Sequence, residues 1–256
     1  MRKFLAMIKK ELKEMVRNYK IITVPIVFMI LGALQPLTYY YLPDILKMAT
    51  LPEGAILEIP TPTTFETMTG VFGQFTQMGL LILVLISMGA VANEVKNGVT
   101  ETILVKPVAV KYYLLSKWAA YFGITILGTL LGVLIGYFYT VELIGEISGI
   151  VVFNSTLVYI LYLLFIMSIT LLLSTVLDSS IVAGGITIAF AIGISLISYL
   201  PIDTWWLPSY LLKLNQNILY QIPSEHFWPG IITSMIYIVI SIFTGIILFK
   251  RKFVRF

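Results

Sequence analysis

The sequence reads as an all-α membrane protein with six spanning helices, and three observations carry that reading. The first is composition: of 256 residues 59% are apolar and only 12% charged, with a mean hydropathy of +0.95, whereas soluble domains run at about 25% charged. A soluble globular fold is excluded. The second is six charge-free runs, 21–43, 67–93, 118–141, 147–177, 179–202 and 227–249, none shorter than 23 residues, where a helix needs about 20 apolar residues to cross ~30 Å of hydrocarbon. They are continuous rather than alternating, so they are helices and not barrel strands. The third is the placing of cations. With the amino terminus inside, 15 of the 17 Lys and Arg fall in inner pieces, which sum to +10, while the outer loops sum to −6. Cytoplasmic loops collect Lys and Arg. The expected product is a multi-pass protein of the cell membrane, with both termini cytoplasmic.

Two regions follow: an amphipathic helix over 1–20, and a permease-like domain over 21–256 with spans at about 21–43, 68–93, 114–140, 149–177, 180–201 and 228–249. In the first, Phe4, Ile8, Leu12, Met15 and Tyr19, flanked by Leu5 and Val16, recur at helical spacing, while Lys3, Lys10, Lys13, Arg17 and Lys20 take the other side. Such a helix lies in the inner interface with its cations near anionic lipid. A solvated basic tail is the rival reading. A signal peptide is rejected, since no small-residue cleavage site follows 21–43, where Tyr39, Tyr40 and Tyr41 look like an interfacial belt.

Outside, 43–66 contains Pro43, Pro52, Pro60 and Pro62, so an irregular cap is expected there. The stretch 201–228 is too apolar for a free loop, with Trp205, Trp206, Tyr210, Leu211 and Leu214, and too interrupted by Pro208, Lys213 and Pro223 for a span. It reads as short re-entrant or interfacial helices lining a cavity or the outer surface. Between the fourth and fifth spans Asp178 is expected to cap a helix.

The inner loop after the second span, from Asn93 to Pro107, predicts a short helix starting at Asn97 or Gly98. Glu101 falls in its first turn, at the positive end of the dipole, and it stops before Pro107. About eight residues cannot hold a helix alone in water. Val99 and Ile103 must therefore pack on the spans or on a partner.

Six spans, the amphipathic start and the spacing Glu94-x3-Gly98-x2-Glu101-x5-Pro107 resemble the permease subunit of a type-2 ATP-binding-cassette exporter, over essentially the whole chain. The resemblance implies an elbow helix at 1–20 and a coupling helix, formed around Glu94, Gly98, Val99, Glu101, Ile103 and Pro107, that docks on a cytoplasmic ATPase. Where the family often has a second charge after the first Glu, and a Leu after Gly-Thr, this chain has Val95 and Val99-Thr100. By the same resemblance the working unit is two permease subunits, identical or related, with two ATPase subunits that bind ATP and Mg. The dimer seam then more often involves the first and fifth spans.

This chain has no G-x-x-x-x-G-K-[ST] phosphate cradle, so the expectation is a transport subunit and not an enzyme, with no cofactor, metal or catalytic residue of its own. There is no cysteine and one histidine, His226, which leaves little for metal or thiol chemistry. Gly193-Ile194-Ser195-Leu196 formally matches an intramembrane serine hydrolase with His226 as base, a weak match, since Gly and Ser are common in packed apolar helices. No water-exposed basic domain exists for nucleic acid. Gly128, Gly132 and Gly136 form two G-x-x-x-G steps that let a second helix approach closely, within the subunit by default and at a dimer seam otherwise. Gln35, Gln74, Gln77 and Asn154 are polar within spans and should face protein or a pathway. With Trp205 and Trp206 they are the pathway or gate candidates. No ionisable side chain is expected mid-span, which counts against a proton-coupled carrier or a charged-ring channel. The function read here is an ATP-driven export permease for an amphipathic or hydrophobic substrate such as a peptide, drug-like molecule or lipid. An ATP-independent secondary transporter or channel is the second reading, an intramembrane enzyme the third.

Overall fold

The computed structural model describes residues 2–48, 62–105, 109–197 and 204–253, and among them every regular element is helical. Pro107, most of the expected outer cap (49–61) and the stretch 198–203 lie outside the described residues. The helices are α1 Arg2–Arg17, α2 Lys20–Met48, α3 Thr64–Gln74, α4 Leu80–Ser87, α5 Ala92–Lys96, α6 Val99–Leu104, α7 Val110–Leu143, α8 Gly149–Val176, α9 Ser180–Ile197, α10 Tyr210–Leu219 and α11 Phe227–Phe253. A π-helical turn over Phe75–Gly79 joins α3 to α4. Six stretches are long and apolar enough to cross a membrane: Lys20–Pro43, Thr64–Lys96, Val110–Leu143, Gly149–Val176, Ser180–Ile197 and Phe227–Lys252.

Three boundaries differ from the sequence reading. The first span ends at Pro43, as the charge-free run predicts, but its helix does not: α2 runs through Pro25, Pro36 and Pro43 to Met48, where an irregular cap was expected. In hydrocarbon a helix is the only cheap state for the backbone, so a proline removes one bond without ending the element. Glu66 is no part of an irregular cap. It stands in the first turn of α3, where Thr63 Oγ1 accepts from the Glu66 N–H at 3.2 Å and Glu66 Oε2 accepts from the Thr63 N–H at 2.7 Å, a reciprocal capping box. Between α8 and α9 the cap is Ser179, whose Oγ accepts from the Val182 N–H at 3.5 Å. Asp178 instead pairs with Lys252.

The amino-terminal helix has three faces rather than two. Met7, Glu11 and Met15 are buried against the bundle, while Leu5, Leu12 and Val16 are exposed as a separate apolar stripe. Most of the cations lie opposite, but Lys10 and Lys20 turn toward the protein, not outward as the pattern suggested. The helix ends in a turn at Asn18 and Tyr19, the latter at φ 57°, a left-handed conformation that costs a non-glycine residue about 1 kcal/mol.

Behind it, α7 and α8 form the centre. The glycines of α7 face α2: a Cβ on Gly32 would stand 2.1 Å from the Gly132 carbonyl oxygen, one on Gly132 2.6 Å from the Phe28 oxygen, and one on Gly128 2.9 Å from Val24. The three-glycine strip therefore joins helices within one chain. Pro36 leaves the Gly32 carbonyl without its helical partner, and that oxygen is directed at Gly136, 3.1 Å from where its Cβ would be. Aromatic rings fill the middle, with Phe28 against Phe75 at 4.9 Å and Phe72 against Tyr159 at 5.0 Å. The carboxyl-terminal α11 returns to the same end as α1, where Phe249 stacks on Tyr113 at 5.6 Å. Both described termini thus share one end of the bundle, with α5, α6 and the turn at Asp178. In contrast, α10 lies at the opposite end, where Tyr220 meets Phe65 at 5.9 Å.

Candidate functional site

At the amino-terminal end, Gly98 supplies φ 70° and redirects the chain from α5 into α6. A residue with a Cβ is strained there even though nothing lies within 4 Å of the added atom. The short helix then divides. Thr100 is fully buried and Ile103 packs on the core, whereas Val99, Glu101, Thr102 and Val105 are exposed, Val105 at 87%. The inward half explains how six residues stay helical: Thr100 Oγ1 lies 3.2 Å from Tyr113 OH on α7.

Tyr113 leads into a buried charged cluster. Its hydroxyl donates to Glu94 Oε2 at 2.6 Å. Lys117, 1% exposed, donates to Glu11 Oε2 at 3.1 Å and pairs with Glu94 Oε2 at 3.0 Å. Lys10 reaches Glu11 at 2.9 Å, Glu14 at 2.8 Å and the second oxygen of Glu94. Burial alone would lower the pKa of Lys10, but the carboxylates of Glu11, Glu14 and Glu94 outweigh it and hold the ammonium well above its ordinary range. Nearby, Lys20 donates to the Ile86 carbonyl at 2.9 Å and to Tyr121 OH at 2.8 Å. Oxygens of Glu11, Glu14 and Glu94 come within 4.8 Å of one another, a spacing that could hold a cation, and the ammonium groups of Lys10 and Lys117 already bridge them. The cluster ties α6, α5, α7 and α1 into one continuous polar chain.

The second feature is a half-open cavity of about 400 Å³ lined by the π turn and its flanks, α8, α9 and α10. Phe72, Leu80, Ile188, Ile192 and Leu212 give it an apolar wall, and Thr76, Gln77, Tyr159, Ser195 and Asn215 the polar points. The π turn widens one helical turn by a residue, a device common at functional sites, and it includes Thr76 and Gln77. On the far wall Asn215 is fixed: its Nδ2 donates to the Ser155 carbonyl at 3.0 Å and to Ser155 Oγ at 2.6 Å, while Ser155 Oγ donates back to the Asn215 backbone carbonyl at 3.0 Å.

The residues singled out from sequence are thus dispersed. Glu94 is buried and faces inward, Gly98 makes the turn, Val99 and Glu101 point outward, and Ile103 is half-buried. Of the pathway candidates only Gln77 lines the cavity. Gln74 donates to Gln35 at 3.4 Å between α3 and α2, Asn154 is exposed on α8, and Trp206 is half-exposed while Trp205 lies against His226, ring centroids 5.7 Å apart. Ser195 Oγ sits 3.2 Å from Tyr162 OH, a packed hydroxyl pair rather than an activated nucleophile. Sequence reasoning missed Glu11, Lys117 and Tyr113, and on the cavity Tyr159 and Asn215. One signal was present: Glu11 falls between Phe4 and Met15 on the apolar side of α1, where an unpaired acid would be costly.

A family model described as ABC-2 family transporter protein matches residues 5–227. The protein named "uncharacterized transmembrane protein YxlG" of Bacillus subtilis (strain 168) is 34% identical over 223 residues, 86% of each chain. Six helices fit to cross a membrane and a family match spanning most of the chain lead to one conclusion: this is a multi-pass membrane protein that belongs to the ABC-2 family of transporter membrane proteins.

Proposed function

We propose that the chain is the permease subunit of an ATP-driven exporter, that α1 is its elbow helix, and that the outward half of α6 is the surface on which a separate ATPase docks. The observation that carries the reading is the two-sided build of α6. Val99, Glu101, Thr102 and Val105 are left uncovered at the end of the bundle, while Thr100 seats the same helix on the charged cluster. A free loop needs neither feature. Displacement of α6 by a partner is passed through Tyr113 and Glu94 to α7, and through Lys117 and Glu11 to α1. The short helix is then a handle on two long elements rather than on one turn.

In this reading two permease copies, or this chain and a relative, complete the pathway, and two ATPase subunits bind ATP and Mg. The amino-terminal end faces the cytoplasm, in keeping with its +10 balance. The cavity beside the π turn receives part of an amphipathic substrate, since an apolar wall with a few convergent polar groups is the usual make-up of a small-molecule site. The test is co-purification with the ATPase together with transport at matched expression. Glu101→Lys and Val105→Asp alter only exposed positions, so both should reduce ATPase capture and export while the fold is retained. Ile103→Asp is a poorer probe, because Ile103 also packs on the core. Full ATPase binding and transport by both exposed variants would refute the docking assignment and favour an ATP-independent transporter.

A further inference from the structure

At two polar points of the cavity, Asn215 and the Thr76–Tyr159 pair, fixed hydrogen bonds leave only acceptors, and those points name a ligand chemistry. A main-chain carbonyl can only accept, so the group of Asn215 that meets the Ser155 carbonyl must be the NH₂. Both of its protons are used, on Ser155 O and Ser155 Oγ. The amide therefore cannot turn over, and Oδ1 is left without a partner among the described residues and is not fully buried, on a residue that lines the cavity. Across the cavity the same logic applies to Thr76 and Tyr159. Thr76 Oγ1 donates to the Phe72 carbonyl at 2.9 Å, so the 3.1 Å contact with Tyr159 uses the tyrosine's proton. What remains at both points is lone pairs. Among the lining residues none is Asp, Glu, Lys, Arg or His.

We infer that the cavity selects an uncharged molecule that brings hydrogen-bond donors, an amide N–H or a hydroxyl on an apolar body, and that Asn215 is a specificity-determining residue for it. A phosphate or carboxylate entering this space would meet no cation, would find donors only at Gln77 and Ser195, and would face the acceptor oxygens of Asn215 and Thr76–Tyr159, a poor exchange for water. An ammonium would find acceptors but no countercharge. A neutral donor loses least, because a buried acceptor left unmatched carries its own penalty. The inference rests on the reading of this cavity as the substrate's place, and it narrows that reading from amphipathic substrates at large to donor-bearing neutral ones.

The experiment uses the full chain in lipid nanodiscs and photoreactive probes that share one diazirine-bearing alkyl tail and differ in the head: a primary amide, a methyl ester and a carboxylate. Saturable labelling of α8 and α9 peptides is read by mass spectrometry. The amide should half-saturate at about one-tenth the concentration the ester needs, as one hydrogen bond predicts, and the carboxylate should label least. In Asn215→Leu the amide and ester should become equal while the tail alone still labels, which separates lost selection from lost folding. Thr76→Val should reduce the preference without abolishing it. Equal half-saturation by amide and ester in the unaltered chain, or the carboxylate labelling best, overturns the inference and leaves the cavity as a binding site. Absence of saturable labelling by every probe overturns the cavity reading itself.

Discussion

Replacing Lys117 by Met should destabilise the protein more than any comparably conservative change on its surface. The ammonium is 1% exposed and bridges Glu11 and Glu94 at 3.1 and 3.0 Å, and it also stands 5.2 Å from the ring of Tyr113. Methionine fills similar length, so the substitution removes charge with little change in volume. Among the described residues Glu11, Glu14 and Glu94 then share Lys10 as their one directly paired cation, with Tyr113 still bonded to Glu94 and Lys20 anchored on Ile86 and Tyr121 close by. Removing one member of a buried ion pair costs about 3–5 kcal/mol, and here Lys10 and the Tyr113 hydroxyl offset the lost charge only in part. For a chain of this size that corresponds to roughly 6–20 °C in Tm. The assay is thermal unfolding followed by tryptophan fluorescence in detergent, and Trp118, buried next to Lys117, reports locally. Adding Glu11→Leu should restore much of the loss, since it removes the acid that Lys117 had balanced and substitutes apolar packing. A single-variant loss under about 1 kcal/mol, or a double variant worse than the sum of the singles, would refute the cluster as a mutually neutralised unit.

Two further outcomes follow from the architecture. Gly132→Ala should cost about 1–3 kcal/mol through overpacking, because the new Cβ would lie 2.6 Å from a backbone oxygen of α2, which cannot rotate away. Gly123→Ala, on the same helix with nothing within 4 Å, should be neutral or slightly stabilising in the same thermal assay. The chain has no cysteine, so Lys213→Cys and Lys96→Cys, both at exposed positions, give a clean sidedness test. An impermeant thiol reagent applied to intact cells should label the first and spare the second, and the opposite pattern would invert the orientation.

How far the sequence reached depended on which physical term dominated each feature. Span number was legible because ~30 Å of hydrocarbon imposes a length on every crossing segment, and 21–43 or 149–177 satisfies it without reference to any other residue. The gathering of cations at one end of the bundle was legible as a sum over loops. Where the deciding interaction was pairwise the pattern fell short. Pro43 reads as a breaker only if water can take the freed carbonyls, and α2 continues past it to Met48. Asp178 and Ser179 are both capable caps, and the choice between them was made by Lys252, 74 residues away. The three faces of α1 were compressed into two because periodicity separates apolar from polar but cannot tell an exposed apolar stripe, Leu5 and Leu12, from a protein-facing one, Met7 and Met15.

The site was less legible than the fold, for a reason carried by two residues. Glu94 was singled out for its place in a motif, and the motif suggested a surface contact, yet its side chain is buried among Lys10, Lys117 and Tyr113. A charge brought into low dielectric is tolerable only where several partners converge, and Lys10, Lys117 and Tyr113 come from two other helices, so no local window contains them. Asn215 shows the converse. It sits in an outer segment read for its aromatics, and its importance appears only once Ser155, 60 residues earlier, fixes which end of the amide is left. The cluster and the cavity lie on one membrane-crossing stretch, Thr64–Lys96, in which the π turn carries Thr76 and Gln77 and, beyond a turn at 88–91, α5 carries Glu94. A movement of α6 that shifts Glu94 is therefore applied to the same membrane-crossing stretch whose irregular turn forms the cavity wall. A π turn is also where a helix changes register most easily, because its widened hydrogen bonds can be redistributed without breaking the rod. On that geometry nucleotide-driven displacement at one end would alter the cavity at the other by register rather than by rigid tilt. Restoring a regular turn by deleting Met78 should then leave ATPase capture intact while transport falls.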